Sequence, residues 1–285
     1  MTVPRVTAET DVKYPQPLIT QTWEQHLRIA RQAARDAGKA VRGQFGHRVI
    51  TTYKGSHDVL LEADLVAQKI ILARLSREFP KCGIVAEEGS LKRWPDNALA
   101  WAVDPLDGSN NFGYGIAHCA IVISLFRGES TVLALVFDPL TEREFFATEN
   151  RPMAAEVTGE TPLRHATISL VTSYSQEHRV WGSRFSDWLG ARCKRITSLW
   201  APALDLALVA SGSLDGMVCH EADLLDVCSG AFLVRSVGGH IVGFDGHPME
   251  IRRSMHGLPV SFIAARSTRL VRELADNIRH FQEGI

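Results

Sequence analysis

WAVDPLDGSNNF, residues 101–112, carries the strongest structural signal in this chain. The apolar run that leads into it, ALAWAV at 98–103, is typical of a buried strand. Pro105 can neither extend a β-ladder nor continue a helix, so we expect the strand to stop there. Asp104 and Asp107 then lie at the strand end, on either side of a turn. Carboxylates that converge in this way repel each other strongly unless a cation compensates, and Mg2+ prefers such oxygen ligands.

A solvated Asp-Pro-x-Asp-Gly turn is the alternative interpretation of the same residues. The position after a buried strand favours a ligand site, because ligands bind at strand ends in layered α/β proteins. The next residues, Gly108 and Ser109, could open a helical turn whose free backbone N–H groups favour an anion. A cation site beside an anion site is what a metal-dependent phosphate enzyme requires.

The composition is ordinary for a soluble globular enzyme, with 285 residues, 45% hydrophobic and 22% charged. This length allows one large core or two fused half-cores. A formal charge of −1 gives no electrostatic reason to expect a nucleic-acid or membrane-surface partner. We expect a cytoplasmic protein, because the N-terminus lacks the apolar core of a signal peptide and no apolar run approaches the roughly 18 residues of a membrane span. The five cysteines form no CxxC pair.

Hydrophobic periodicity divides the chain into an arm and two halves. The polar, proline-containing residues 1–20 predict an extended N-terminal arm. An N-terminal α+β half, 21–150, begins with two amphipathic helices, and five strands between 83 and 148 predict an antiparallel meander. A polar stretch at 150–165 is the best boundary. The C-terminal half, 151–285, alternates strands and helices as far as 244, which predicts helices covering a mixed sheet.

Further acidic residues occur at the ends of predicted elements. Glu87 follows the strand GIVA, Asp64 lies in the first turn of the second helix, and Asp226 lies three residues after the N-cap candidate Asp223. Each has a simple explanation of its own: a surface acid, a favourable helix dipole, or a cap. Their joint occurrence at element ends, together with the acids of the central stretch, favours one shared cation site.

These residues resemble the motifs of the inositol monophosphatase family of Mg2+-dependent, lithium-sensitive phosphatases. WAVDPLDGSNNF is similar to the WxxDPxDGTxNF signature, with Ser109 in place of Thr. AEEGS at 86–90, YKGSHDVLLEAD at 53–64 and LLDVCSGAFLVRSVGG at 224–239 resemble three further family segments. The resemblance implies an α/β (α+β) fold, a layered αβαβα sandwich of the inositol monophosphatase/fructose-bisphosphatase type. It also implies a homodimer that hydrolyses a small-molecule phosphate ester.

The resemblance also implies roles for single residues. The metal ligands would be Glu87, Asp104, the backbone carbonyl of Leu106, Asp107, Asp226 and, through a water or a further Mg2+, Asp64. Asp64 and Ser109 would orient the attacking water, so that Asp64, Glu87, Asp107 and Ser109 form the catalytic set. The backbone N–H groups of Gly108 and Ser109 would bind the phosphate, and Asp226 would border the substrate.

The substrate pocket departs from the family pattern at two positions. Cys219 occupies the place, seven residues before Asp226, where inositol monophosphatases have a glutamate that binds the inositol ring. Trp200 replaces a family glycine and offers a flat face that suits a nucleobase or another ring. Glu221 could substitute in part for the missing glutamate, although two residues along a strand separate them by roughly 7 Å. We therefore expect inositol 1-phosphate to be a poor substrate, and a nucleotide or a modified sugar or cyclitol phosphate to be preferred.

Three alternatives accompany this interpretation. The protein could be a nucleotide or sugar-bisphosphate phosphatase of the same superfamily, or a family member that has lost catalysis and serves as a regulatory subunit. The sequence Cys219-His220-Glu221 could suggest thiol chemistry, but it falls in a predicted strand. Neighbours in a strand point to opposite faces, so adjacent side chains there should not act together.

Overall fold

The computed structural model describes residues 23–53, 59–88, 94, 98–155, 159–173 and 175–284. The predicted N-terminal arm, 1–20, lies outside the described residues. The elements of the first half are α1 (Glu24–Arg42), β1 (Ile50–Tyr53), β2 (Val59–Leu61), α2 (Glu62–Glu78), β3 (Gly83–Ala86), β4 (Leu99–Asp107), α3 (Ser109–Tyr114), β5 (Ala120–Arg127), β6 (Ser130–Phe137) and β7 (Glu144–Thr148). Those of the second half are β8 (Thr167–Thr172), α4 (Gln176–Gly190), β9 (Arg195–Thr197), α5 (Pro202–Ser211), β10 (Gly216–Ala222), α6 (Leu224–Ser236), β11 (His240–Val242), β12 (Val260–Ala265) and α7 (Thr268–Glu283).

Two five-stranded sheets and three helical layers build the molecule. The first sheet has the order β3-β4-β5-β6-β7, and the second has the order β11-β12-β10-β8-β9. Helices α1 and α2 pack on the outer face of the first sheet, α5 and α6 lie between the sheets, and α4 and α7 cover the second sheet. This arrangement is the αβαβα sandwich that the family resemblance implies.

Apolar periodicity explains how α1 joins the core. Leu27, Ala30, Ala34, Ala37 and Val41 recur at steps of three and four, and all are buried against the first sheet. The alanines allow the helix to approach the sheet closely. None of the helices in the described part of the chain has the length and apolar character needed to cross a membrane.

The structure corrects the prediction that the central strand stops at Pro105. Strand β4 continues to Asp107, and its register with β5 shifts between the pairs Asp104–Val122 and Asp107–Ala120. Pro105 lies within this irregularity, where the ladder does not need the N–H group that proline lacks. The irregularity leaves both aspartates at the same end of the strand, so the convergence that the turn predicted is retained.

Two other predictions about the sheets were incomplete. Strands β4 to β7 form the antiparallel meander, but β3 pairs with β4 in parallel. In the second half the sheet is mixed, as predicted: β8 is parallel to β9 and β10, and β12 is antiparallel to β10 and β11. No element was predicted beyond residue 244, so β12 and α7 were missed, and so was the short antiparallel pair β1–β2.

Candidate metal centre and substrate cavity

Three carboxylates from three elements converge at one end of the first sheet. Glu87 directly follows β3, Asp104 lies in β4, and Asp226 lies in the first turn of α6. Parallel pairing of β3 with β4 places Glu87 beside Asp104, because its N–H donates to the carbonyl of Val103 at 3.0 Å. Carboxylate oxygens of the three acids lie within 4.8 Å of one another. This is an all-oxygen donor set of the kind that holds Mg2+.

Electrostatic repulsion within the cluster is large. Asp104 is 2% exposed, and burial raises its pKa well above the ordinary value, with further increases from Glu87, Asp107 and Asp226. A cluster that is hard to ionise in the absence of a cation is suited to binding one, since a divalent ion removes both the desolvation and the repulsion penalties. The donors therefore fit a hard divalent cation.

Asp107 is held in place by the N-terminus of α5. The backbone N–H of Leu204 donates to its Oδ2 at 3.1 Å, which lowers the pKa of Asp107, whereas burial has the larger effect and raises it. Asp205, a buried acid that was not predicted as a site residue, also raises the pKa of Asp107. Its carboxylate accepts hydrogen bonds from Ser169 at 2.7 Å and pairs with His118 at 2.8 Å. The sequence feature that could have predicted a role for Asp205 is an acid inside the apolar run PALDLALV.

The turn after β4 requires a glycine. Gly108 has a φ of +76°, and a Cβ atom there would lie 2.8 Å from the carbonyl oxygen of His118 and 2.9 Å from Cβ of Ala201. Ser109 begins the short helix α3 and is largely buried. The N–H of Leu106 donates to Oδ1 of Asp104 at 2.9 Å, which fixes that carboxylate. The backbone of the central motif thus fixes the positions of Gly108 and of the Asp104 carboxylate.

A cavity of about 350 Å³ opens over the carboxylates. Most of the site residues predicted from the sequence line it: Glu87, Asp104, Leu106, Asp107, Gly108, Ser109, Trp200, Glu221 and Asp226. Residues that the sequence analysis did not single out as site residues complete the wall: Val171, Thr172, Ser173, Ser175, Pro202, Ala222 and Asp223. A cavity of about 390 Å³ beside α6 is larger, but its acids, Glu149 and Glu250, pair with arginines.

Asp64 and Cys219 do not line this cavity. Asp64 is buried, and its Oδ2 accepts a hydrogen bond from the N–H of Leu61 at 2.7 Å, so it caps α2. Cys219 is fully buried in the core between the second sheet and the middle helices, and burial raises the pKa of its thiol. The structure thus places the Cys219 side chain in the apolar core and not on the cavity wall.

Glu221 is the ionisable residue of β10 that lines the cavity. Its φ is +59°, and the pairing of β10 with β12 is irregular between Cys219 and Ala222. Trp200 on the same cavity has a φ of +52°. The left-handed region is uncommon for residues other than glycine, and such strain concentrates at functional sites. The alternation of a regular strand, assumed in the sequence analysis, does not hold at Glu221.

The chain belongs to the inositol monophosphatase family, whose model matches residues 22–280. One relative is the Nus factor SuhB of Vibrio cholerae, 31% identical over 231 residues that cover 77% of this chain and 85% of that protein. Another is the inositol-1-monophosphatase of Rhizobium meliloti, 31% identical over 235 residues that cover 79% of this chain and 88% of that protein. The family is a phosphatase family, and its members are metal-dependent.

Solved structures share the fold over almost the whole chain. The IMPase of Thermotoga maritima superposes with a TM-score of 0.80 at 22% identity, covering 91% of this chain and 99% of that one. The extragenic suppressor protein suhB of Bartonella henselae also has a TM-score of 0.80, at 25% identity, covering 90% of this chain and 98% of that one. The layered sandwich is therefore a fold that this chain shares with both groups of relatives.

Proposed function

We propose that the protein is a Mg2+-dependent phosphate monoesterase that hydrolyses a small-molecule phosphate ester. The observation that supports this proposal is the convergence of Glu87, Asp104 and Asp226 at the floor of a cavity. Phosphoryl transfer requires mainly positioning and neutralisation of negative charge. An oxygen-ligand cluster beside a glycine turn supplies both.

The proposed chemistry assigns a task to each group. Glu87, Asp104, Asp107, Asp226 and the carbonyl of Leu106 would hold Mg2+, which supplies charge neutralisation and activates water when it is bound. The hydroxyl of Ser109 would align the attacking water. Asp64, which is buried and does not line the cavity, would assist. The N–H groups of Gly108 and Ser109 would donate to the phosphate oxygens, and no nucleophilic side chain is needed.

We propose that the other side of the cavity selects the substrate. Trp200 offers an aromatic face, and Glu221 offers a carboxylate that accepts hydrogen bonds from hydroxyl or amino groups. Because the position of the family's inositol-binding glutamate holds the buried Cys219, inositol 1-phosphate should be a poor substrate. A nucleotide or a modified sugar or cyclitol phosphate should be preferred, which keeps a nucleotide or sugar-bisphosphate phosphatase as the alternative assignment.

Phosphate release from a substrate panel tests this proposal. The panel contains inositol 1-phosphate, histidinol phosphate, fructose 1,6-bisphosphate, AMP and 3′-phosphoadenosine 5′-phosphate, each with Mg2+, with a chelator, and with added lithium, which should inhibit. Full activity in the chelator would contradict metal dependence. A wide advantage for inositol 1-phosphate would contradict the roles of Trp200 and Glu221 while leaving the phosphatase assignment intact.

The relatives named as Nus factors raise a second candidate, a binding or regulatory subunit. The complete set of oxygen donors disfavours loss of catalysis, because decay usually removes some ligands. A protein that releases phosphate from none of the panel substrates, but remains folded and binds Mg2+, would favour the second candidate.

We also propose a cytoplasmic homodimer without a nucleic-acid or membrane partner, supported by the family resemblance and the near-zero net charge. Light scattering on the purified protein measures the oligomeric state, and a monomeric mass at working concentration would contradict the dimer.

A further inference from the structure

A second group of metal-ligating side chains adjoins the cavity, which one of its members, Glu221, lines. His178 lies in the first turn of α4, and His220 and Glu221 are consecutive in β10. One candidate ligand atom from each lies within 4.8 Å of the other two. None of the three belongs to the proposed Mg2+ site.

The backbone at Glu221 is what brings the group together. In a regular strand, residues 220 and 221 would face opposite sides. The positive φ of Glu221 and the irregular pairing with β12 break this alternation, so both side chains approach His178. The N–H of Glu221 donates to Oγ of Ser261 at 3.0 Å, which holds the strained residue in place.

Neighbouring groups orient both imidazole rings. Oγ of Ser173 lies 2.8 Å from Nδ1 of His178, which leaves Nε2 facing Oε2 of Glu221 at 2.9 Å. A hydrogen bond of this kind to the second ring nitrogen is typical of histidines that bind metals. The ring of His220 stacks on Trp181 with centroids 4.1 Å apart. Both imidazole rings are therefore held by neighbouring side chains, His178 by Ser173 and His220 by Trp181.

Hydrogen bonds among side chains account for His178 and Glu221 but not for His220. The chain from Ser173 through His178 to Glu221 is complete without a ligand. His220 is different, because its buried Nδ1 atom has no hydrogen-bond partner among the described residues. Buried polar atoms are usually paired, and a bound ion would give this nitrogen a partner.

We propose that His178, His220 and Glu221 bind a transition-metal ion of the Zn2+ or Co2+ class. Two imidazoles and one carboxylate are a donor set of zinc sites that keep a further position open, and imidazole nitrogen does not suit Mg2+. Since Glu221 and Ser173 also line the cavity, the ion would lie beside it. The site does not depend on the proposed phosphatase activity.

Co2+ titration of the whole protein in excess Mg2+ tests the site. The visible absorption of Co2+ reports nitrogen ligation, and equilibrium dialysis with Zn2+ measures the number of ions bound. Wild-type protein should bind a single Co2+ with an imidazole-type spectrum. His178→Ala and Glu221→Gln should weaken binding by about 10- to 100-fold or abolish it. His220→Phe should do the same while it keeps a ring to stack on Trp181.

Matched variants separate this site from the carboxylate cluster. His165→Ala removes an exposed imidazole elsewhere and should leave Co2+ binding unchanged, as should Asp104→Asn. Thermal melts of each variant establish that it is folded. Unchanged Co2+ binding in folded His178→Ala and His220→Phe would overturn the proposal, and so would loss of binding in Asp104→Asn alone.

Discussion

Asp104 is buried beside three like-charged neighbours. Its replacement should therefore change turnover and the stability of the metal-free protein in opposite directions. Asp104→Asn should lower turnover by about 100-fold or more, because it removes a ligand that holds and orients the cation. It should also raise the melting temperature of the metal-free protein, because it removes a buried charge that repels Glu87 and Asp226. Phosphate release and a thermal melt in chelator measure the two effects.

Asp187→Asn is the matched control for that experiment. Asp187 is an exposed acid on α4, and its replacement should change neither quantity. A lower melting temperature for metal-free Asp104→Asn would mean that the carboxylate supports the fold, for instance through the hydrogen bond that it accepts from Leu106.

Trp200 offers a second test at the level of one residue. Its φ of +52° suits glycine, so Trp200→Gly should be tolerated by the backbone and should open the cavity wall. We expect the ratio of kcat/KM for inositol 1-phosphate to that for AMP to rise by about 10-fold or more. Trp200→Phe keeps an aromatic face and should leave the ratio near the wild-type value. An unchanged ratio in Trp200→Gly would show that the indole does not select the substrate.

Single residues differ in how far the sequence could predict them. Asp104, Asp107 and Gly108 are adjacent in the chain, so their proximity follows from covalent geometry. Glu221 reaches the cavity only because its own φ breaks the strand, and a pattern of residue types does not record φ. Asp205 lies next to Asp107 only because α5 packs against the end of β4, and that contact depends on the assembled sheets.

The close packing of α5 against α6 is a testable feature at the scale of elements. A Cβ atom on Gly230 would lie 2.3 Å from Cβ of Leu206, so Gly230→Ala must push the helices apart. We expect a loss of about 1–3 kcal/mol in the free energy of unfolding. Mg2+ affinity should also fall, because α5 positions Asp107 and α6 carries Asp226. Chemical denaturation and calorimetric titration measure the two quantities.

Gly43→Ala is the control for this helix pair. Gly43 ends α1 with a right-handed helical φ of −65°, and a Cβ atom there would meet nothing within 4 Å. Alanine should therefore leave stability unchanged or raise it by about 0.4–1 kcal/mol. Equal stability in Gly230→Ala and wild type would show that the helices can separate at no cost.

The elements that the sequence predicted best are those with a distinct apolar pattern of their own. Helix α1 buries one regular set of apolar residues, and strands β4 to β6 are apolar runs buried on both faces. The parallel pairing of β3 with β4 left no local signal, because residue types do not record the relative direction of two strands. Residue types likewise did not predict that β4 continues past Pro105, because the irregular register that permits it depends on β5 as well.

At the scale of the whole molecule, the candidate site exists only because two halves meet. The first half supplies Glu87, Asp104 and Asp107, and the second supplies Glu221 and Asp226. The sequence showed which acids follow which elements, but the distances between them come from stacking two sheets around α5 and α6. A cation held by both halves should therefore stabilise the entire fold, since ligands that bind only the folded state shift unfolding.

That stabilisation should depend on pH with a definite sign. In the metal-free protein, burial raises the pKa of Asp104 and of Asp107 well above the ordinary value of 3.8. Between 3.8 and these raised values the folded state binds more protons than the unfolded state, so stability increases as pH falls through that window and is lost as pH rises. Mg2+ requires the ionised carboxylates and so competes with these protons.

The increase in melting temperature on adding Mg2+ should therefore be larger at about pH 8 than at about pH 5. Asp104→Asn should reduce this difference, because it removes a proton-binding group and a metal ligand together. The exposed-acid variant Asp187→Asn should retain the full difference. Differential scanning calorimetry at both pH values, with Mg2+ and with chelator, measures all four states of each protein. An equal Mg2+ effect at the two pH values would show that the raised pKa values do not govern cation binding.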